Sequence, residues 1–255
     1  MPPDVPFGSA AERYDALRPS YPDAAVAWAL ADAPAGDVAD VGAGTGKLTG
    51  VLLGAGRGVR AIDPSDDLLR VLRRRHPDAQ ASVGTGERTG LPDDSVAAVV
   101  YGQSWHWVDG ARATAEASRV LRPGGTLAML WNDADVREPW VQRYQLAQRG
   151  LKQRPPATRR MPRFPSPDFQ PREEWQVRWR RPLTKGALVD LVTTFSFFLT
   201  ASPAARRARL AAVRAQLDAD LPGPDDRPVD YPMITRVTRY RLTARAGRRK
   251  RGLVG

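Results

Sequence analysis

With 255 residues, the chain is long enough to bury one large α/β core and leaves little room for two equal domains. Hydrophobic residues make up 42% of the sequence and charged residues 26%, which is ordinary for a folded protein and excludes wholesale disorder. The sequence contains no cysteine, so disulfides, thiolate metal sites and a cysteine nucleophile are excluded.

The formal net charge of +11 is unevenly distributed along the chain. Residues 1–138 carry 14 basic and 19 acidic side chains, whereas residues 139–255 carry 25 basic and 9 acidic ones. Only four of the 39 basic residues are lysines, so a solvated, arginine-rich surface explains much of the excess. A surface that attracts anionic substrates is the alternative.

Neither a targeting segment nor a membrane span is recognisable in the sequence. The N-terminal residues MPPDVPFGSAAERYD lack a basic start followed by an apolar run. No run of 18 apolar residues occurs anywhere in the chain. We therefore expect a cytoplasmic protein without a membrane segment.

Between residues 36 and 131, short apolar runs alternate with stretches of helical spacing, which is typical of βαβ units and a parallel sheet. The predicted strands are Val38–Val41, Val59–Asp63, Ala79–Val83, Val96–Tyr101 and Thr126–Leu130. The predicted helices are Leu48–Leu53, Ser65–Arg75 and Ala111–Leu121, and Arg122-Pro123-Gly124-Gly125 is expected to end the last of them.

Two later segments alternate like strands, Trp175–Arg181 and Met233–Leu242, and two have helical spacing, Thr184–Phe198 and Pro203–Leu217. The pattern predicts an α/β fold with a doubly wound, Rossmann-like, mostly parallel seven-stranded sheet, an antiparallel edge strand and a small cap insertion. The predicted segments are an N-terminal helical cap (1–35), a core (36–131), an insertion (132–172), a completion of the sheet (173–243) and a basic flexible tail (244–255).

A glycine-rich loop, Asp40–Gly46, follows the first predicted strand. A phosphate-binding loop would need glycine at Val41 and serine or threonine at Leu48, and a dinucleotide fingerprint would need glycine at Lys47. What remains is an acidic residue at a strand end, followed by three glycines at alternate positions, namely Gly42, Gly44 and Gly46.

Two carboxylates indicate what this loop binds. Asp40 can accept a hydrogen bond from an ammonium group, while the glycines make room for the rest of the ligand at a helix N-terminus. Asp63 ends the second predicted strand, and its two oxygens can bind both hydroxyls of a ribose. Together they indicate an adenosyl amino acid. The alternative is a plain strand–turn–helix in which the aspartate is a cap.

Several motifs resemble one known family. DVGAGTG (Asp40–Gly46) resembles motif I of the class I S-adenosylmethionine methyltransferases, and AIDPS (Ala61–Ser65) resembles their motif II. A bacterial and fungal branch related to trans-aconitate and small-acid methyltransferases is similar at FGSAAERYDALRPSYP (Phe7–Pro22), GTGE (Gly84–Glu87), QSWHWVD (Gln103–Asp109), RVLRPGG (Arg119–Gly125), Trp131-Asn132 and Thr235-Arg236-Val237. The resemblance covers nearly the whole chain.

The chain departs from this family at two places. Thr89-Gly90 replace the usual Leu-Pro, which predicts a looser loop after the third strand. Ala97 stands where an aspartate usually opens the fourth strand, so a polar anchor is expected to be missing there.

The resemblance implies S-adenosylmethionine as cofactor, S-adenosylhomocysteine as product and no metal. Asp40 and the backbone of Gly42, Gly44 and Gly46 would contact the methionine portion, and Asp63 with Pro64 the ribose. The remaining implied contacts are Gly86 and Glu87 beside the adenine, Gln103 beside the sulfonium, and Tyr14, Arg18 and Tyr21 over the carboxylate end.

His106, just past the fourth predicted strand, is the candidate catalytic base. A base helps if the acceptor is a hydroxyl, an amine or a carbon acid, and is dispensable for a carboxylate. The alternative is a buried histidine bonded to the backbone. His76 is expected to lie at the surface or to cap a helix. Candidates for an apolar acceptor pocket, or for a small core, are Trp140, Tyr144, Phe164 and Phe169.

These observations predict a methyltransferase for a small organic acceptor, either a carboxylate or a natural-product hydroxyl. One alternative is an RNA or protein methyltransferase, suggested by the basic C-terminal part, but no RNA-binding module is recognisable and nucleic acid is not the expected partner. Another is a protein that binds the cofactor without catalysis. The sequence leaves the oligomeric state open.

Overall fold

The structure is a computed structural model that describes residues 17–151, 168–170 and 173–243. Within these ranges the strands are β1 (Val38–Val41), β2 (Val59–Asp63), β3 (Gln80–Val83), β4 (Val96–Gly102), β5 (Leu121–Ala134), β6 (Glu173–Thr184) and β7 (Pro228–Arg241). The helices are α1 (Asp23–Leu30), α2 (Lys47–Gly54), α3 (Asp66–Arg75), α4 (Gly110–Val120), α5 (Pro139–Arg149), α6 (Lys185–Val192), α7 (Ser196–Leu199) and α8 (Pro203–Asp220). Tyr14, Phe164 and the predicted tail lie outside the described residues.

The described strands form one sheet in the order β3-β2-β1-β4-β5-β7-β6. Strands β1 to β5 pair in parallel, and Asp40 of β1 is aligned with Ala61 of β2 and Val100 of β4. The chain proceeds from β1 to β2 on one side, while β4 lies on the other. This reversal opens a crevice at the carboxyl ends of β1 and β4, where open α/β sheets bind ligands.

The last strand gives the sheet its mixed character. The Leu242 N–H donates to the Gly125 carbonyl, and the Asp135 N–H donates to the Pro232 carbonyl, so residue numbers rise on one strand as they fall on the other. Strand β7 therefore runs antiparallel beside β5, at the edge of the sheet that β7 and β6 form. The predicted Rossmann-like, mostly parallel sheet with an antiparallel edge is confirmed.

As predicted, helix α4 ends before Arg122-Pro123-Gly124-Gly125, but this segment already belongs to strand β5 and contains a shift of register. Helix α4 ends at Val120, and Leu121 already pairs with Val96. The register then shifts, and the regular ladder resumes where Thr126 pairs with Ala98. Proline and glycine are tolerated here because a bulge leaves ladder hydrogen bonds unmade.

The predicted helix Thr184–Phe198 is two helices in the structure, α6 and α7. At the break, the hydroxyls of Thr193 and Thr194 donate to the carbonyls of Asp190 and Leu191. The backbone N–H groups of both threonines donate to the same two carbonyls, with the tighter spacing of a 3₁₀ turn. The α-helical ladder is thereby interrupted after Val192.

Helix α3 shows why the local sequence selects these elements. The Ser65 hydroxyl accepts a hydrogen bond from the Leu68 N–H and caps the helix. Asp66 and Asp67 occupy its first turn and Arg73–Arg75 its last, which matches both ends of the helix dipole. None of the described helices is both long and apolar enough to cross a membrane.

The chain divides into two compact units. The first unit takes its described residues from Met1–Ser20, Asn132–Arg160 and Gln176–Thr235, and the second from Tyr21–Trp131, Met161–Trp175 and Arg236–Gly255. Each unit has its own hydrophobic core. The first buries Val141, Tyr144, Leu188, Val192, Val213 and Leu217, and the second buries Val41, Ile62, Val99, Tyr101, Leu127 and Met129. The linear segments proposed from the sequence remain predictions about domain organisation.

Candidate cofactor site

The loop between β1 and α2 depends on glycine at all three alternate positions. Gly42, Gly44 and Gly46 have φ angles of +72°, +56° and +92°, which other residues adopt only with strain. The N–H groups of Gly42 and Ala43 both donate to the Ile62 carbonyl, at 2.8 and 3.1 Å. The loop is therefore fixed against the end of β2.

The three glycines differ in what lies beside them. A Cβ atom at Gly42 would lie 2.8 Å from Ser104 Oγ, and one at Gly46 would lie 2.6 Å from Cδ2 of His76. A Cβ atom at Gly44 would meet no described atom within 4 Å. Gly42 and Gly46 thus allow close packing within the protein, whereas Gly44 faces open space that a ligand can enter.

Asp40 has one oxygen bonded and one without a donor. Its side chain is only 1% exposed, and Oδ2 accepts a 2.7 Å hydrogen bond from the Thr49 hydroxyl. Among the described residues, no group donates to Oδ1. Burial raises the pKa of Asp40 to about 7; the Thr49 hydroxyl opposes this rise, and the nearby charge of Asp63 adds to it. A cationic group of a ligand would offset the cost of burying the ionised carboxylate and would donate the hydrogen bond that Oδ1 lacks. The residues therefore fit an amino-acid cofactor.

Asp63 is satisfied by backbone amides. Oδ2 accepts from the Gly44 N–H and Oδ1 from the Ser65 N–H, both at 2.9 Å. The carboxylate therefore fixes the glycine loop to the end of β2, and each oxygen keeps a lone pair that can bind a ribose hydroxyl. Pro64, between these two residues, is exposed.

The loop after β3 is attached to the loop after β4. The Glu87 carboxylate accepts a 2.7 Å bond from the Asp109 N–H. Partial burial acts to raise the pKa of Glu87, but hydrogen bonds from the backbone of Asp109, from its own backbone and from the Thr85 side chain, together with the charge of Arg112, lower it below its ordinary value. Gly86 is buried, and a Cβ atom there would lie 2.6 Å from Val108 and 3.2 Å from the Tyr101 hydroxyl. The proposed adenine-side residues thus belong to a packed structure.

The first two residues after β4, Gln103 and Ser104, are both fixed by hydrogen bonds. Gln103 adopts a φ of +59°, and its N–H donates to the Leu130 carbonyl at 2.9 Å. The Ser104 hydroxyl donates to the Val41 carbonyl at 2.6 Å, which places Ser104 directly against Gly42. Sequence reasoning did not identify Ser104 or Thr49, because only the fold brings them to the loop and to Asp40.

His106 lies on a 3₁₀ turn, Trp105–Trp107, beyond these anchors. The His106 side chain is exposed, so the alternative of a buried histidine is wrong. Its ring centroid lies 4.6 Å from that of Trp107 and 5.3 Å from that of Trp131. Trp107 is 73% exposed, whereas Trp105 is buried edge-on against Tyr101. The turn thus presents an exposed imidazole and an exposed indole.

The structure places two of the residues predicted to cover the carboxylate end of the cofactor. Tyr21 is buried in the second unit, and a Cβ atom at Gly102 would lie 2.7 Å from its hydroxyl. Arg18 belongs to the first unit, where it donates to the Thr194 carbonyl at 2.9 Å and its guanidinium lies 4.6 Å from the centre of the Phe195 ring. Contact of either side chain with the cofactor remains a prediction.

The loop carrying Thr89-Gly90 is anchored, so the prediction of a looser loop is wrong. Thr89 is buried, and both its N–H and its hydroxyl donate to Glu116 of α4, at 2.8 and 2.7 Å. Arg119 donates to the same carboxylate. At Ala97 no side-chain anchor is possible, and the backbone N–H donates to the Asp37 carbonyl instead.

The remaining predicted positions belong to packed structure. His76 is the C-cap of α3, and its ring occupies the space beside Gly46 and Gly50. Tyr144 is fully buried in the core of the first unit, with its hydroxyl donating to the Leu188 carbonyl at 2.5 Å. Trp140 packs against the same core, and Phe169 packs edge-on against Tyr240 in the second unit.

The strand order, the positive-φ glycine loop and the two acids define a Rossmann-like α/β protein that binds a nucleoside cofactor. The profile of the methyltransferase domain family matches residues 39–129. An uncharacterised methyltransferase of Mycobacterium tuberculosis is 44% identical over 211 residues, which cover 83% of this chain and 85% of that one. The chain therefore belongs to the class I S-adenosylmethionine-dependent methyltransferases. It is an enzyme whose cofactor is S-adenosylmethionine.

Two further similarities extend this result. The structure of a protein from Anaeromyxobacter dehalogenans, assigned as a type II methyltransferase, aligns with a TM-score of 0.67 at 29% identity, covering 89% of this chain and 97% of that one. A malonyl-[acyl-carrier protein] O-methyltransferase of Methylococcus capsulatus is 37% identical over 135 residues, 49% of either chain. The second similarity covers only half of each chain.

Proposed function

We propose that the enzyme transfers the methyl group to a small organic acceptor, with a carboxylate or a natural-product hydroxyl as the first candidates. The observation that carries the proposal is the exposed His106–Trp107 turn, which begins directly after Ser104, the residue packed against the cofactor loop. The relative that is named an O-methyltransferase supports oxygen as the acceptor atom. Resemblance to the trans-aconitate branch supports a small acid.

In this proposal, the residues of the second unit bind the cofactor as follows. Asp40 binds the ammonium group, the backbone of Gly42, Gly44 and Gly46 makes room for the methionine chain, and Asp63 with Pro64 binds the ribose. Gly86 and Glu87 border the adenine, and Gln103 lies beside the sulfonium. When bound, the cofactor supplies a methyl group on a good leaving group, so the chain mainly contributes alignment and exclusion of water.

The role of His106 depends on the acceptor. A hydroxyl must lose its proton as the new bond forms, and an exposed imidazole beside the cofactor loop can accept that proton. A carboxylate is already ionised near neutral pH and needs no base. His106 is therefore proposed as the base for hydroxyl acceptors, and Trp107 as an apolar surface on which the acceptor rests.

The test is a methylation assay with purified protein, S-adenosylmethionine and a panel of small carboxylic acids, phenols and alcohols, with release of S-adenosylhomocysteine and product mass as readouts. We expect His106→Asn to lower kcat about 100-fold with a hydroxyl acceptor and to change it little with a carboxylate. Arg74→Gln, at an exposed position of α3, is the control and should change neither.

Two results would contradict the proposal. Turnover with RNA or protein fractions but with no small acceptor would replace it with the macromolecular alternative. Tight binding of S-adenosylhomocysteine without turnover on any acceptor would favour a protein that binds the cofactor without catalysis.

A further inference from the structure

Asp40 is held by the protein from one side. Thr49, on α2, is fully buried, and its hydroxyl bonds Oδ2 of the carboxylate. Within the described ranges, Oδ1 of the same carboxylate has no donor. A buried carboxylate oxygen without a donor is costly, so a bound group is expected to supply the missing hydrogen bond.

We infer that Thr49 is a positioning residue for the cofactor: its hydroxyl fixes Oδ2 of Asp40 and thereby aims Oδ1 at the α-ammonium of S-adenosylmethionine. The inference rests on the assignment of Asp40 to the amino-acid part of the cofactor in the proposed function. In this arrangement the hydroxyl of Thr49 bonds Asp40 and not the cofactor. Its effect on binding is transmitted through that carboxylate.

The groups that face Asp40 favour a cationic partner. From β2, the Asp63 carboxylate adds negative charge, and from α2, Thr49 offers its hydroxyl and its backbone N–H. The residues aligned with Asp40 in the sheet, Ala61 of β2 and Val100 of β4, carry no charge. An ammonium group bonded to Asp40 would therefore also be attracted by the charge of Asp63, in a buried setting where charge pairing is strong.

This geometry links cofactor binding to a proton. Burial raises the pKa of Asp40 to about 7 in the free protein, so the carboxyl is largely protonated at pH 6. The bound ammonium stabilises the ionised form and lowers that pKa, so binding at pH 6 releases a proton. The affinity is therefore expected to fall up to about tenfold for each pH unit below 7, and to be level from about pH 8 until the ammonium group of the ligand itself begins to lose its proton.

The first experiment counts this proton. S-adenosylhomocysteine, which keeps the amino-acid part, is titrated into the full chain by calorimetry at pH 6, 7 and 8.5, in pairs of buffers that differ in ionisation enthalpy. We expect nearly one proton released at pH 6 and almost none at pH 8.5. Methylthioadenosine, which lacks the amino-acid part, is the matched ligand and should bind without releasing a proton.

The second experiment removes the hydroxyl. Thr49→Val is expected to weaken S-adenosylhomocysteine binding about tenfold at pH 7, by loss of a hydrogen bond to a charged group, and to leave methylthioadenosine binding unchanged. Thr49→Ser keeps the hydroxyl and should restore the affinity. Thr114→Val is the control, because Thr114 is also buried and its hydroxyl donates to the Gly110 carbonyl within α4.

Two results would overturn the inference: binding of S-adenosylhomocysteine by the wild type without proton release, or an equal loss for both ligands in Thr49→Val. If Thr49→Val does not fold, the proton count of the wild type and the affinity of Thr49→Ser decide the question. Either failure leaves standing the proposed reaction, methyl transfer to a small acceptor, because the acceptor panel tests that separately.

Discussion

At the scale of single residues, the cofactor loop uses glycine for two different purposes. Gly42 and Gly46 allow Ser104 and His76 to pack where a Cβ atom would otherwise be. Gly44 has the same kind of backbone conformation but an open side, and its N–H is bonded to Asp63. Gly42 and Gly46 thus allow tight packing against the loop, whereas Gly44 leaves the space beside the loop free for a ligand.

Gly44→Ala should therefore separate strain from binding. Gly56 is the matched control, because it also has a positive φ, +74°, and a Cβ atom there would meet no described atom within 4 Å. We expect both Gly44→Ala and Gly56→Ala to lower the free energy of unfolding by about 1 kcal/mol. Only Gly44→Ala should weaken S-adenosylhomocysteine binding, by about tenfold or more, since its methyl group enters the ligand space. Equal affinities in calorimetry would show that the ligand does not approach Gly44.

At the scale of elements, helix α4 holds the loop after β3 at two points. Glu116 accepts from Thr89 in the loop after β3, and the N–H of Asp109, at the N-cap of α4, donates to Glu87. Burial acts to raise the pKa of Glu116, but the bonds from Arg119 and Thr89 outweigh it and lower the pKa to about 2. The carboxylate is thus stabilised in its ionised form by the groups it holds.

Glu116→Gln tests this support. The folded pKa lies below the unfolded value of about 4.3, so the stabilising contribution is present above pH 4.3 and is lost as the pH falls toward 2. We expect the substitution to lower the free energy of unfolding by about 2 kcal/mol at pH 7, and by clearly less at pH 3, in urea denaturation. Asp78→Asn, at an exposed position, is the control. A loss that is equal at both pH values would mean that the charge of Glu116 is not what holds the loop.

The edge of the sheet is organised by longer-range pairing. Strand β7 reaches β5 only after the chain has formed further helices and β6, and its register is set by bonds such as Leu242 to Gly125. In the first unit, Trp179 on β6 donates to Thr235, whose hydroxyl in turn donates to Asn132. These side-chain bonds join three strands that are far apart in the sequence, so no local pattern could predict them.

At the scale of the whole molecule, the chain builds two separate hydrophobic cores. Leu188 is fully buried in the first unit, and Leu72 is fully buried in the second, where it lies behind Gly46 of the cofactor loop. Both side chains are leucines at full burial, so their truncation removes the same apolar group from the protein interior. They differ in that Leu72 lies against the cofactor loop, whereas Leu188 belongs to the core of the other unit.

Leu188→Ala and Leu72→Ala should therefore have the same effect on stability and different effects on binding. We expect each to lower the free energy of unfolding by about 3 kcal/mol. Leu72→Ala should also weaken S-adenosylhomocysteine binding several-fold, because it leaves a cavity behind Gly46, whereas Leu188→Ala should leave the affinity unchanged. Calorimetry at a temperature where both variants are folded checks this. An unchanged affinity in Leu72→Ala would mean that the loop keeps its shape without that support.

The arginine-rich composition is partly explained by structural pairing at this same scale. Arg137 pairs with Asp135 and Arg143 with Asp220 in the first unit, and Arg239 pairs with Asp32 and Glu173 in the second. Arg239 also lies over the Trp28 ring, 4.2 Å from its centre. Such arginines hold elements together. Their pairing supports the interpretation that the excess of basic residues is structural and solvated, and it counts against a surface that binds nucleic acid.

The sequence by itself determined the features that depend on local order. Alternating apolar runs and helical spacing specify the βαβ series, because period and length distinguish a buried strand from a helix. The alternate glycines specify a loop with positive φ, and Asp63 is brought to that loop simply because parallel strands end at the same edge of the sheet. The family resemblance added the cofactor.

Only the tertiary structure decided the features that depend on contacts between distant segments. Three such contacts are those of Thr49 with Asp40, Ser104 with Gly42 and Thr89 with Glu116. No pattern in the sequence indicates that these residues meet. The exposure of His106 was equally open, since aromatic neighbours suit a core as well as a surface. Periodicity reveals which face of an element is buried, whereas the partner it meets is fixed only when the whole chain packs.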